Sequence, residues 1–206
     1  PGRTVTASEL LDPEAARQEG AAIAALHRVL AGIEATAEEA DLLRDLKVWA
    51  LKGAKEALGL TNGWCEQYLA ELESIWADLP RQIIHRDPNP GNIICAEDQW
   101  GFIDFELAER NARIYDPCYA ATAVLSETFG QDNHPWLEIY RDIIWGYDSV
   151  ARLTAEERIA IPWVLLANQF VCVAWFAGNP QYEEIFRTNK RMTAWLIEKF
   201  DELKDI

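Results

Sequence analysis

Apolar residues along this chain recur mostly three and four positions apart, a period that predicts amphipathic helices rather than strands. Asp12-Pro13 supplies an N-cap side chain and a first-turn proline, and Ile23, Leu26, Val29 and Leu30 then form one apolar face, with His27 packed beside it. Thr36-Ala-Glu-Glu39 reads as a capping box opening a second helix through Leu42, Leu43, Leu46, Trp49 and Ala50 to about Leu58, where Gly59 can stop it. Thr61 or Asn62 caps a third helix, with Leu69, Leu72, Ile75 and Trp76 as its buried stripe and Pro80 as terminator. The period changes at Ile83. Asn92 to Cys95 and Trp100 to Phe105 are short β-type runs joined by the polar residues 96–99, a hairpin signal. Leu107 to Ile114 is polar and charged and reads as a loop. Asp116-Pro117 repeats the cap-and-proline device ahead of a helix over Tyr119 to Phe129, closed by Gly130, and His134-Pro135 starts another. Thr154-Ala-Glu-Glu157 is a second capping box, after which Pro162 is expected to split a short helix from a longer one reaching Phe176. Gly178-Asn179-Pro180 breaks that helix before a terminal one over Tyr182 to Lys204. With no internal repeat and no low-complexity linker, the expected fold is a single domain over 1–206, mainly α with a small antiparallel β-hairpin.

Composition narrows the partners more than the fold. At 206 residues the chain is long enough to bury roughly 70 % of its unfolded surface. Its net charge of −15, from 19 basic and 34 acidic residues, disfavours nucleic acid and is compatible with a cationic small molecule. The four cysteines, Cys65, Cys95, Cys118 and Cys172, are widely spaced in apolar surroundings and form no C-x-x-C pair, which points to free thiols and a cytoplasmic location. The longest apolar stretch, Ile159 to Ala177, is interrupted by Pro162, Asn168 and Gln169, so no membrane association is expected.

Chemistry concentrates between Ile83 and Glu106. Asp87 is a carboxylate in a turn stiffened by Pro88 and Pro90; Asn92 offers an amide oxygen five residues on, and Asp104 a second carboxylate beyond Phe102-Ile103. An amide oxygen and a carboxylate make a poor zinc site but suit Mg²⁺, which takes few protein ligands and fills its octahedron with water and phosphate oxygens. Asp87 is then free to orient and deprotonate a hydroxyl. That division of labour belongs to phosphoryl transfer.

The block His85-Arg86-Asp87-Pro-Asn-Pro-Gly-Asn92, followed twelve residues later by Asp104-Phe105-Glu106, resembles the catalytic loop and metal-binding motif of the protein-kinase-like fold, and most of all the aminoglycoside phosphotransferase and choline kinase group. The resemblance covers most of the chain as the helical C-terminal lobe of that fold, with specific motifs only between His85 and Asp116. It implies Asp87 as catalytic base, Asn92 and Asp104 as Mg²⁺ ligands, His85 as a brace of the loop, and Asp116 as the residue tethering the loop from the next helix. It also implies ATP as phosphoryl donor and, as acceptor bound against the C-terminal helices, a hydroxyl of a small molecule (an aminoglycoside, an amino alcohol or similar), with the acidity of the chain leaning towards an amine. Arg86, where the family has a small residue, is expected to pair with a local acid, and Glu106 is a secondary candidate for the metal. No glycine-rich strand-turn-strand and no lysine in a V-A-x-K context occurs in the chain, so the N-terminal nucleotide-binding lobe is absent from it and the chain alone is expected to be inactive. A competing expectation is a non-catalytic interaction or regulatory module, whose open lobe surface would serve a protein interface or a dimer.

Overall fold

A computed structural model describes residues 2–33, 37–97 and 99–206. Among these the backbone is mostly helical, and its contacts divide it into two compact units. The first comprises Pro1–Ala40, Pro80–Thr154 and Ile206; the second comprises Asp41–Leu79 and Ala155–Asp205.

In the first unit, β1 (Arg3–Thr4) leads to α1 (Pro13–Leu30) and β2 (Glu38–Glu39). Asp12 caps α1 as its sequence dictates, its carboxylate accepting from the amides of Glu14 and Ala15 at 3.0 and 3.1 Å ahead of Pro13. The unit resumes with β3 (Arg81–Ile84), β4 (Ile93–Ala96), β5 (Gln99–Phe102), β6 (Glu109–Ala112), α5 (Tyr115–Thr128) and α6 (Pro135–Val150). The expected hairpin is β4–β5, antiparallel with Ile93 opposite Phe102 and Cys95 opposite Trp100. Asp98, in its connection, lies outside the described residues.

The hairpin does not stand alone. β1, from a stretch with no legible pattern, pairs antiparallel with β4 to make a three-stranded sheet. Residues 107–114, expected as a loop, contain β6, which forms a second sheet with β3 antiparallel and β2 parallel. Their polarity misleads because Glu109 and Asn111, on one face of β6, are buried polar residues satisfied by partners. Helix α1 crosses α6 where two glycines meet backbone. A Cβ at Gly20 would lie 1.9 Å from the carbonyl oxygen of Ile143, and one at Gly146 would lie 2.0 Å from that of Arg17.

The second unit holds α2 (Leu42–Asp45), a π turn (Leu46–Ala50), α3 (Leu51–Leu58), α4 (Asn62–Trp76), α7 (Ala155–Ala177) and α8 (Glu183–Glu198). The expected capping box at 36–39 does not open α2. Thr36 lies outside the described residues, Glu38–Glu39 is strand, and Asp41 caps the helix by accepting from the amide of Arg44 at 3.1 Å. Gly59 ends α3 at φ 73° and Thr61 caps α4. Pro162 does not split α7. The proline forfeits one backbone bond, yet α7 packs against α3, α4 and α8, and burial of Ile161, Val164, Leu165, Leu166 and Phe170 outweighs that loss. Contrary to the sequence expectation, α7 is long and apolar enough to cross a membrane by length and composition. Its most apolar window has a mean hydropathy of 1.8 and is 67 % buried inside the protein, as in a core helix.

Candidate active site

The loop after β3 is held from α5. Asp116 was expected as an N-cap, but α5 begins at Tyr115, so Asp116 lies in the first turn and its fully buried carboxylate turns back towards the loop. Oδ2 accepts from the backbone amide of His85 and from His27 Nε2, both at 2.8 Å; Oδ1 accepts from the amide of Arg86 at 2.9 Å. His27, buried on α1 as its sequence position suggests, pairs through Nδ1 with the Tyr147 hydroxyl of α6 at 2.8 Å. One carboxylate thus joins α1, α5 and the loop.

Arg86 sits at φ 77°, a left-handed conformation costly for a side chain of its size, and both ends of the residue are tied. Its Nε donates to the Tyr115 hydroxyl at 3.0 Å and its guanidinium to Glu109 Oε2 at 2.6 Å, while Asn111 Nδ2 donates to Glu109 Oε1 at 2.8 Å. The expected pairing of Arg86 with a local acid is present, and its partner is a β6 residue that sequence reasoning assigned to a loop. The signal available was the two-residue spacing of Glu109 and Asn111, which puts both on one face of a strand.

The buried imidazole of His85 reaches both arms of the site. Its Nε2 donates to the carbonyl of Ile103 at 2.9 Å, which leaves Nδ1 to accept from the amide of Asp87 at 3.3 Å. The ring of Phe105 packs 4.5 Å away. The residue before Asp104 and the amide of Asp87 are therefore fixed to one ring.

Asp87 is half-buried, with Oδ1 accepting from Asn89 Nδ2 at 2.9 Å. Asn92 Nδ2 points to the Asp87 backbone carbonyl at 3.0 Å and to Oδ2 at 3.3 Å. Both partners are acceptors, so the amide nitrogen faces Asp87 and the amide oxygen faces away. Asn92 also receives the Ile103 amide on its backbone carbonyl at 3.0 Å, which brings the β4 and β5 ends together just before Asp104. Asp104 is exposed at φ 64°, a conformation that aspartate tolerates better than most residues, and makes no hydrogen bond or ion pair among the described residues. Glu106, two residues on, is likewise exposed without a partner among them. Nor do any three His, Cys, Asp or Glu side chains among the described residues cluster tightly enough to hold a metal by themselves. A hard cation here would draw on Asn92, Asp104 and oxygens from a ligand, a donor set that fits Mg²⁺.

Phe102 and Phe105, on either side of the Ile103-Asp104 pair, also line an open, largely apolar cavity of about 690 Å³ between α1 and the hairpin, whose other walls include Ala21, Ala25, Leu26 and Trp100.

The profile of the phosphotransferase enzyme family (APH) matches residues 1–153, and the chain belongs to that family. Among curated proteins, it is 33 % identical over 155 residues to a homoserine kinase of Phenylobacterium zucineum, a match covering 71 % of this chain and 46 % of that protein. The chain spans less than half the length of the homoserine kinases it matches. Among solved structures it is similar to a choline/ethanolamine kinase family protein from Mesorhizobium loti, with TM-score 0.64 and 15 % identity over 98 % of this chain and 69 % of that one. It is similar also to the amicoumacin kinase hAmiN in complex with AMP-PNP, Ca²⁺ and Ami, with TM-score 0.65 and 16 % identity over 94 % of this chain and 62 % of that one. The fold is the helical lobe of the protein-kinase-like fold.

Proposed function

We propose that these residues form the acceptor-side half of an ATP- and Mg²⁺-dependent phosphotransferase acting on the hydroxyl of a small amino alcohol, with homoserine the first acceptor to try. The observation that carries this reading is the orientation of Asn92: its nitrogen is spent on Asp87, so its oxygen is left for a cation together with the carboxylate of Asp104, which has no partner among the described residues. Asp87 is then the general base, held by Asn89 and Asn92 with its carboxylate half-exposed to an incoming hydroxyl. Bound Mg²⁺ would draw negative charge off the transferring phosphoryl group. His85 and Asp116 position the loop, Arg86 is committed to Glu109, and Glu106 is assigned no step.

Homoserine is favoured because the curated relatives are homoserine kinases. The free cysteines suit a reducing cytoplasm. We further assign the glycine-rich cover of the ATP phosphates to a part of the enzyme outside residues 1–206, closing over the open cavity beside Phe105. Two things support this: the missing motif and the greater length of the relatives. The test is ADP release by the full-length enzyme with homoserine, choline, ethanolamine and an aminoglycoside. Asp87→Asn is expected to lower kcat by about 10²- to 10⁴-fold with KM for ATP nearly unchanged. Asp104→Asn is expected to raise the Mg²⁺ concentration needed for half-maximal rate. Wild-type turnover in folded Asp87→Asn would overturn the assignment.

A further inference from the structure

The second unit holds a separate aromatic pocket. Trp64 and Tyr68 of α4 stack with ring centroids 5.4 Å apart and planes within 10°. Trp163 of α7 lies 5.4 Å from Tyr68 and meets the edge of Phe200 at 4.6 Å. With Gln67 and Lys204, these rings line a cavity of about 160 Å³. Trp64, Trp163 and Phe200 are each only half-buried, so the slot opens to solvent.

The residues that line this slot carry several donors, and the Gln67 amide offers both a donor and an acceptor. The Tyr68 hydroxyl is spent on the Trp163 carbonyl at 2.5 Å. By contrast, the indole N–H groups of Trp64 and Trp163 donate to no acceptor among the described residues. The Lys204 ammonium stands 4.8 Å over the Phe200 ring. Its ion pair with Asp201 at 2.7 Å joins a lysine 46 % exposed to an aspartate 95 % exposed, an arrangement that contributes little and exchanges readily. The volume falls below the few hundred Å³ usual for drug-sized ligands, which limits the occupant to about one ring.

We infer that this slot binds a single-ring aromatic carboxylate, its ring among Trp64, Trp163 and Phe200 and its carboxylate on Lys204 and the indole N–H groups. Aromatic walls favour a flat ring by stacking, and a set of donors beside an ammonium selects an anion over an amine of the same shape. Neither the base nor the metal-ligand candidates take part, so the inference stands apart from the proposed transfer reaction.

Calorimetry and saturation-transfer NMR on the 206-residue chain, with benzoate as probe and benzylamine as its cationic counterpart, test it. Benzoate is expected to bind and benzylamine to bind at least tenfold more weakly. Lys204→Met, at an exposed position that leaves packing intact, is expected to weaken benzoate at least fivefold. Trp163→Leu should abolish ring contacts in the NMR experiment, with Trp64→Leu as the alternative if the first variant fails to fold. Equal affinity for benzylamine, benzoate binding indifferent to Lys204→Met, or no benzoate binding at about 10 mM would each overturn the proposal.

Discussion

Asp116 shares two carboxylate oxygens among three N–H donors, which is why a fully buried acid is stable there. Glu19, buried on α1, is the opposite case: neither of its oxygens has a hydrogen-bond partner among the described residues. Desolvation alone pushes its carboxyl from the usual carboxylate range up to about 8. At neutral pH the native state therefore keeps a proton that the unfolded chain has released. The unfolded group ionises near pH 4.5, so native stability is expected to fall as pH rises from there to about 8 and then level off. Replacing Glu19 by Gln, which mimics the neutral acid, should flatten that slope in urea titrations at pH 5, 6.5 and 8. A variant with the same pH slope as the parent would show that Glu19 does not control it.

Among the elements, the α1–α6 crossing leaves the least room for change. At both glycines a methyl group would collide with backbone carbonyl rather than with a side chain that can turn away. Gly20→Ala or Gly146→Ala must push the helices apart, at a cost of about 1–3 kcal/mol or more. Thermal denaturation should register either as a drop of several degrees, and the pair as less than the sum, because the first displacement makes room for the second. The same elements show what a linear reading can reach. Helix starts and stops at Asp12-Pro13, Thr61 and Gly59 were legible because a cap is a contract between residues a turn apart. The hairpin and the contacts that join His85, Asp87 and Asn92 were legible for the same reason, all lying within one short stretch. Strands β1 and β6 were not, since their partners are distant in sequence and the buried polar residues of β6 are satisfied through Arg86 and one another. Nor was the passage of α7 through Pro162, which depends on neighbours that the helix's own sequence does not name.

Over the whole molecule, 34 acidic residues against 19 basic ones make the folded chain repel itself. Surface pairs such as Arg187 with Glu183 and Arg152 with Asp148 offset little of this. Screening should therefore stabilise the protein: raising NaCl from about 0.01 to 0.3 M is expected to lift the melting temperature by a few degrees, since the Debye length shrinks from about 30 Å to under 10 Å. A melting temperature that falls with salt would mean that specific ion pairs outweigh the net charge.

The π turn at Leu46–Ala50 has a consequence for how chain length can vary. In an uninterrupted α-helix, at about 100° per residue, the buried positions Leu42, Leu46, Ala50, Leu51 and Ala54 would spread over about half the circumference. Counted with one residue fewer in the turn, they fall within a stripe about 100° wide. The extra residue bulges outward, where Val48 is 72 % exposed. The second unit can thus lose or keep one amino acid at this point without rotating either half of the helix away from its core, so length variation among relatives can be absorbed here while the packing on both sides stays in phase.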